Sequence, residues 1–273
     1  VTRPALRYFG GKWKIAEWIC RQMPAHDVYV EPFGGAGSVM LRKTPSRLEV
    51  YNDLDGDVVN FFRVLRDRPD ALIRAVALTP YSREEHVLAQ APTEEPLERA
   101  RRFYVLCWQS YASGTRPKPF KIGWRTTKAY HAGMMQSWCD EENLYAIAAR
   151  LKQVLIENND AFALLKSYDS PATLFYVDPP YLGDTRSGHG RNEYRHEMYD
   201  AESHRRLAAA LHGVQGKVML SGYESALYDG LYADWTKVAR SVPDKSHAVR
   251  MECVWLSPGA ERVQLSLFDG GVA

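Results

Sequence analysis

The chain has 273 residues, 45% of them hydrophobic and 25% charged, the balance of a globular protein and not of a disordered one. Thirty-five Lys and Arg stand against 33 Asp and Glu, leaving +2, which by itself calls for no polyanionic partner. Four scattered cysteines (Cys20, Cys107, Cys139, Cys253) with no zinc spacing, no apolar run of ~18 residues and no apolar leader argue against a disulfide framework, a metal site and a membrane span, so a cytoplasmic protein is expected.

Between Lys12 and Met23, the residues Ile15, Trp18, Ile19 and Met23 recur at helical spacing. The short strand 28–30 runs into a glycine-rich turn, Gly34 to Gly37, and then a helix through Val39 to Arg42. A second strand, 48–51, precedes a helix with Val58, Val59, Phe61, Phe62 and Leu65 on its buried stripe. This order predicts the opening of an α/β fold with a parallel sheet. From Arg68 to Leu151 the strands vanish. Ser82 and Glu85 form a capping box, and Leu97, Ala100, Tyr104, Cys107, Trp108 and Tyr111 space out a long amphipathic helix. Residues 113–119 are non-helical, and another helix starts near Asp140 and runs through Leu151. Strands resume at 154–156, 174–177, 217–220 and 249–256. The economical architecture is one α/β domain, 1–67 with 152–258, split by a mainly helical insertion, 68–151, and followed by a tail, 259–273.

Open α/β sheets bind ligands beyond the carboxyl ends of their strands. The first strand ends in Glu31-Pro32-Phe33-Gly34-Gly35-Ala36-Gly37, a sharp turn that lets a ligand approach the backbone. It carries no Gly-Lys-Ser/Thr of a phosphate loop, and Glu31 favours a cationic or amine-bearing ligand. The second ends in Asn52-Asp53-Leu54-Asp55 and the third in Glu157-Asn158-Asn159-Asp160; these acids either hold ribose hydroxyls or cap the next helix. The fourth ends in Asp178-Pro179-Pro180-Tyr181. Two prolines without N–H groups leave carbonyls and the Asp178 carboxylate as acceptors beside an aromatic face, which suits a planar base bearing an exocyclic amine.

Asp-Pro-Pro-Tyr, together with Tyr8-Phe9-Gly10-Gly11-Lys12 and the Glu31 to Gly37 segment, resembles the Dam-type (D12 class) N6-adenine DNA methyltransferases, in the alpha motif order. The resemblance extends through Asn52-Asp53, Asn159-Asp160, His204, Ser221-Gly222-Tyr223 and the Arg250 to Trp255 segment around Glu252. It implies a Rossmann-like S-adenosylmethionine (SAM)-dependent methyltransferase sheet with a target-recognition insertion. It also implies that Tyr8, Gly10, Gly11 and Lys12 border SAM. Glu31, Phe33, Gly34, Gly35, Ala36 and Gly37 would hold its methionine portion, Asp53 its ribose and Asp160 its adenine amine. Asp178 and the Pro179 carbonyl would accept from the target adenine N6, and Tyr181 would stack on the flipped base. Asp160-Ala161-Phe162 spaces acid and aromatic differently from the family's usual Asp-Phe pair. Cytosine-N4 methylation and a silent DNA-binding module with the same fold are the alternatives.

Charge is local. Residues 99–130 hold eight basic side chains (Arg99, Arg101, Arg102, Arg116, Lys118, Lys121, Arg125, Lys128) and no acid. Against a chain total of +2, this +8 leaves −6 over the other 241 residues. Tyr111, Phe120, Trp124 and Tyr130 are interleaved with these cations, a pattern expected of a double-stranded DNA surface. A second basic loop, with Arg191 and Arg195, follows the Asp178 motif. The tail segment Gln264-Leu265-Ser266-Leu267-Phe268 resembles the motif that docks on the bacterial β sliding clamp, pointing to a bacterial or phage protein.

Overall fold

A computed structural model describes residues 1–111, 123–125, 138–182, 196, 198–243 and 249–260. Seven strands, β1 (Val28–Glu31), β2 (Leu48–Asn52), β3 (Val154–Glu157), β4 (Thr173–Val177), β5 (Lys217–Tyr223), β6 (Thr236–Pro243) and β7 (Val249–Leu256), form one sheet in the order β3-β2-β1-β4-β5-β7-β6. β1 to β5 are parallel, and β7 runs antiparallel between β5 and β6. The chain moves outward from β1 to β2 and β3, then returns to place β4 on the other side of β1. Such a reversal opens a crevice beyond the carboxyl ends of β1 and β4.

Alternation along each strand sorts the side chains between two cores. Tyr29, Tyr51, Leu174, Tyr176, Met219 and Val254 share one core with residues of α1 (Ala16–Gln22), α2 (Gly56–Asp67), α3 (Pro69–Ala77), α4 (Arg83–Ala89), α5 (Pro96–Gln109) and α6 (Glu141–Leu151). Val30, Val50, Phe175, Val177, Leu220 and Trp255 share the other with residues of α7 (Ala161–Ser167), α8 (Ala201–His212) and α9 (Ala226–Leu231). Helices α3, α5 and α6 pack around α2, and α4 packs on α5; the Phe61 ring of α2 stacks on Tyr104 of α5 with centroids 5.9 Å apart. Among the described residues no helix is long and apolar enough to cross a membrane.

The helix signals at Ser82 and Asp140 appear where expected. The Ser82 hydroxyl accepts from the Glu85 amide at 3.1 Å, and the Asp140 carboxylate from that of Asn143 at 3.1 Å. The expected helix through Val39 to Arg42 is instead a run of turns, with Leu41 N–H bonded to the Gly37 carbonyl and Lys43 N–H to that of Val39. Only seven residues separate Gly37 from Pro45. Helix nucleation is costly, and the residue before a proline avoids the α region. The α3 and α9 helices and strand β6 have no counterpart among the predicted elements: α9 has six residues and α3 nine, short of the span over which a helical period stands out, although α3 buries Leu72, Ile73 and Val76 on one face.

Candidate active site

The carboxyl ends of β1 to β4 deliver their polar residues to one cavity of about 230 Å³. Glu31 enters from β1, Asp53 from the end of β2, Asp160 from beyond β3 and Asp178 from beyond β4. Asn52 braces this rim. Fully buried at the end of β2, it donates to the Pro32 carbonyl at 2.8 Å and the Asn159 carbonyl at 3.0 Å, and accepts from the Asn159 amide at 2.8 Å. One side chain thus ties together the turns after β1 and β3.

The glycine turn is shaped by β2. Gly35, at φ +47°, donates its amide to Asp53 Oδ2 at 2.8 Å and accepts from the Tyr51 hydroxyl at 2.7 Å. Gly34 lies flat against Tyr51, where an added Cβ would sit 2.2 Å from the ring, so a side chain is sterically barred. Asp53 also accepts from the Asp55 amide at 2.8 Å, and burial raises its pKa to about 6 against the pull of these amides. The capping expectation holds for two of these acids. Asp55 caps α2 and Asp160 caps α7, while Asp53, Asp55 and Asp160 all line the cavity.

All residues expected around a cofactor line this cavity except Gly37, whose amide closes the turn onto the Gly34 carbonyl at 2.8 Å. Phe162 also reaches the wall despite its altered spacing, because the extra residue falls in the first turn of α7. The Arg206 guanidinium from α8 lies 5.7 Å from its ring centroid. Polar atoms here are left open: Glu31 Oε2, Ser38 Oγ and Asp178 Oδ1 are buried with no hydrogen-bond partner. Burial raises Glu31 to about 8, although the Tyr29 hydroxyl donates to it at 3.2 Å. A buried acceptor without a donor is costly, so this wall suits a ligand that brings cationic and donor groups.

At the β4 end, the Lys12 ammonium lies 2.9 Å from Asp178 Oδ2 and 4.6 Å from the Tyr181 ring centroid, and donates to the Gly10 carbonyl at 3.0 Å. Burial opposes its charge, but Asp178 and Glu252 outweigh that and raise its pKa. Lys12 therefore engages both features expected to receive an amine-bearing base, the carboxylate and the aromatic face. Tyr181 is set edge-on to Tyr223, with centroids 4.7 Å apart, and its hydroxyl lies 3.4 Å from both Ser221 Oγ and Glu252 Oε2. Ser221, Tyr223 and Glu252 carried no assigned role in the sequence. Alternation along β5 places Ser221 and Tyr223 on one face, but only the β5–β7 register brings Glu252 opposite Tyr223.

The basic insertion is placed in part. Arg116, Lys118, Lys121, Lys128, Arg191 and Arg195 lie outside the described residues, as does the 264–268 segment. Residues 123–125 run beside the end of α5, with the Arg125 amide on the Gln109 carbonyl at 2.7 Å. The Trp124 ring packs under the Arg83 guanidinium at 4.6 Å. Arg102 is engaged by Glu98 at 2.7 Å and by the Ala91 carbonyl at 3.0 Å. Arg99 pairs with Asp57, and Arg101 with Glu98 and Glu85. Two of the eight cations in 99–130, Arg99 and Arg101, therefore brace α5 against α2 and α4, and Arg102 is held within α5 and to the segment after α4.

Comparison with known proteins agrees with this geometry. A family model described as D12 class N6 adenine-specific DNA methyltransferase matches residues 8–249. The chain is 25% identical to a DNA adenine methylase of Salmonella typhi, over 100% of this chain and 97% of that protein. It is 26% identical to a DNA adenine methylase of Escherichia coli, over 99% and 97%. A Type II methyltransferase of Lactococcus lactis subsp. cremoris matches at 25% identity over 85% of each chain. A family match across nearly the whole sheet, on a seven-stranded fold whose rim gathers the matching motifs, makes this chain a member of the D12 class N6 adenine-specific DNA methyltransferases.

Proposed function

We propose that this adenine methyltransferase uses SAM as its methyl donor and acts on an adenine turned out of duplex DNA, with the 178–181 motif as its catalytic centre. The supporting observation is that one cavity is lined by Glu31, Asp53, Asp160 and Asp178 together, with open buried acceptors on its wall. In this reading Tyr8, Gly10, Gly11, Lys12, Phe33 to Ala36 and Glu31 enclose the methionine portion. Asp53 takes the ribose on the lone pairs its backbone partners leave free. Asp160 and Phe162 meet the adenine ring. SAM supplies a sulfonium methyl.

The residues then have defined tasks. An adenine amine is a weak nucleophile because its lone pair is delocalised into the ring. Asp178 and the Pro179 carbonyl grip the N6 hydrogens and turn that lone pair toward the methyl, while Tyr181 fixes the ring plane; this is positioning and transition-state electrostatics. The base takes up contacts with Asp178 and Tyr181 that Lys12 holds, so the ammonium yields one of them on entry. Residues 68–151 serve as the target-recognition insertion within the catalytic domain of 1–67 and 152–258. The proposed DNA-facing set is Arg102, Arg116, Lys118, Lys121, Trp124, Arg125 and Lys128 of the insertion with Arg191 and Arg195 of the loop after the 178–181 motif; Arg102 is already held by Glu98 and the Ala91 carbonyl. Incubation with labelled SAM and random-sequence DNA, followed by mapping of modified positions, should give N6-methyladenine within one short sequence. Label on cytosine N4 alone would overturn the adenine assignment.

The tail 259–273 is proposed to carry a β-clamp contact through Gln264, Leu265, Ser266, Leu267 and Phe268, whose apolar side chains fit a peptide groove. A peptide of residues 260–273 should bind bacterial β clamp with micromolar affinity, on the order of −8 kcal/mol. Leu267→Ala with Phe268→Ala should abolish that binding. Equal isotherms for the two peptides would dispose of the contact.

A further inference from the structure

Glu252 lies on β7, a strand apart from those that end in the cofactor and base motifs, yet it is buried to 9% exposure at the base end of the site. The β5–β7 register sets it directly opposite Tyr223. Tyr223 meets the Tyr181 ring edge-on at 4.7 Å, and the Tyr181 hydroxyl reaches Glu252 Oε2 at 3.4 Å. The phenol oxygen lies on the Cβ–Cγ axis of its ring, so a hydrogen bond there fixes where the ring sits and points, while the flanking Tyr223 ring limits rotation about that axis. The Tyr181 ring is the surface on which the target base would stack, and Lys12 already lies over it at 4.6 Å.

We propose that Glu252 is a positioning residue for methyl transfer: as the anchor of the Tyr181 hydroxyl, it fixes the position and direction of the ring that receives the base. The inference rests on the reading of Asp178 to Tyr181 as the base site. Glu252 touches neither base nor donor, so its loss lowers the rate of transfer and the stacking of the base without weakening the donor.

The test is a double-mutant cycle on the full chain, combining Glu252→Ala or Glu252→Gln with Tyr181→Phe. Single-turnover methylation, SAM binding and the fluorescence of 2-aminopurine at the target position are the readouts. Glu252→Ala should slow transfer by about 10- to 100-fold and shift the 2-aminopurine signal, with SAM affinity unchanged within about 2-fold. Glu252→Gln, whose amide oxygen still accepts from the phenol, should recover to within about 3-fold of wild type. In the Tyr181→Phe background, which has no hydroxyl to anchor, Glu252→Ala should cost less than about 2-fold more. An equal loss in both backgrounds, or a Gln variant as slow as the Ala variant, overturns the proposal. If Glu252→Ala fails to fold, Glu252→Met, which keeps the bulk but offers the phenol no oxygen acceptor, takes its place in the cycle with the same expected and overturning results. An Asp178 variant that remains active would instead remove the base-site reading itself.

Discussion

Asp178→Asn should lower single-turnover methyl transfer by about a thousandfold or more, the scale seen when a group aimed at developing charge is removed from a closed site. The substitution keeps the shape, but the Lys12 ammonium claims the one oxygen that remains, so an amide N–H faces a base amine that is itself a donor. One of the two acceptors gripping N6 is lost, and with it the charge-assisted bond. Stability complicates the result, because Asp178 is the counter-ion of Lys12, whose side chain is only 7% exposed. Removing one member of a buried pair costs up to about 3–5 kcal/mol, since the remaining charge is left unpaired. The double variant Lys12→Met with Asp178→Asn should therefore melt closer to wild type than Asp178→Asn alone while staying inactive. Separating the two effects needs thermal melts beside the methylation assay. Methylation near the wild-type rate by a folded Asp178→Asn protein would exclude Asp178 as the N6 acceptor.

The parts of this site written on consecutive residues were legible in the sequence. Glu31, Asp53, Asp160 and Asp178 each follow a short apolar strand, and a parallel sheet delivers such positions to one rim. Phe162 was harder, since its distance from Asp160 departs from the family spacing and only the first turn of α7 shows that its ring reaches the cavity. Ser221, Tyr223 and Glu252 meet Tyr181 only because an antiparallel β7 inserts beside β5. That adjacency depends on strand order and register, which no local pattern encodes. Charge counting had the same weakness. A segment that begins at Arg99 leaves out Glu98, which alone pairs with both Arg101 and Arg102, and Asp57 and Glu85 arrive from other helices. Net local charge overstates the free cations of α5.

Glu31 should make donor binding depend on pH. Its carboxyl titrates near 8 in the folded protein, against an ordinary 4.5, chiefly because it is buried. Between those values the folded chain holds a proton that the unfolded chain has released. Glu31 therefore costs the donor-free protein nothing below about 4.5, and destabilises it increasingly as pH rises toward 8, by at most about 1.4 kcal/mol per unit. Glu31→Gln removes that titration, so the variant should gain thermal stability over wild type across this window. Binding runs the other way. A cationic amino group set against Glu31 favours the carboxylate, so the donor displaces the proton and its affinity rises with pH, by up to about 10-fold per unit. Below pH 7.5 the α-amino group of SAM, with a typical pKa of about 7.7–8.0, stays mostly charged, which sets the useful range at 6 to 7.5. Tyr29, Lys43 and Asp178 also face Glu31, and Asp53 titrates near 6 in the same cavity, so the variant is the necessary control. Calorimetric SAM affinity should rise by about 10-fold or more over that range in the wild type. In Glu31→Gln it should be weaker by about 10- to 100-fold at pH 7.5, with a much shallower slope. Parallel slopes for the two proteins would place the titrating group elsewhere, and a Gln variant that binds SAM as tightly as wild type would show that Glu31 does not meet its amino group.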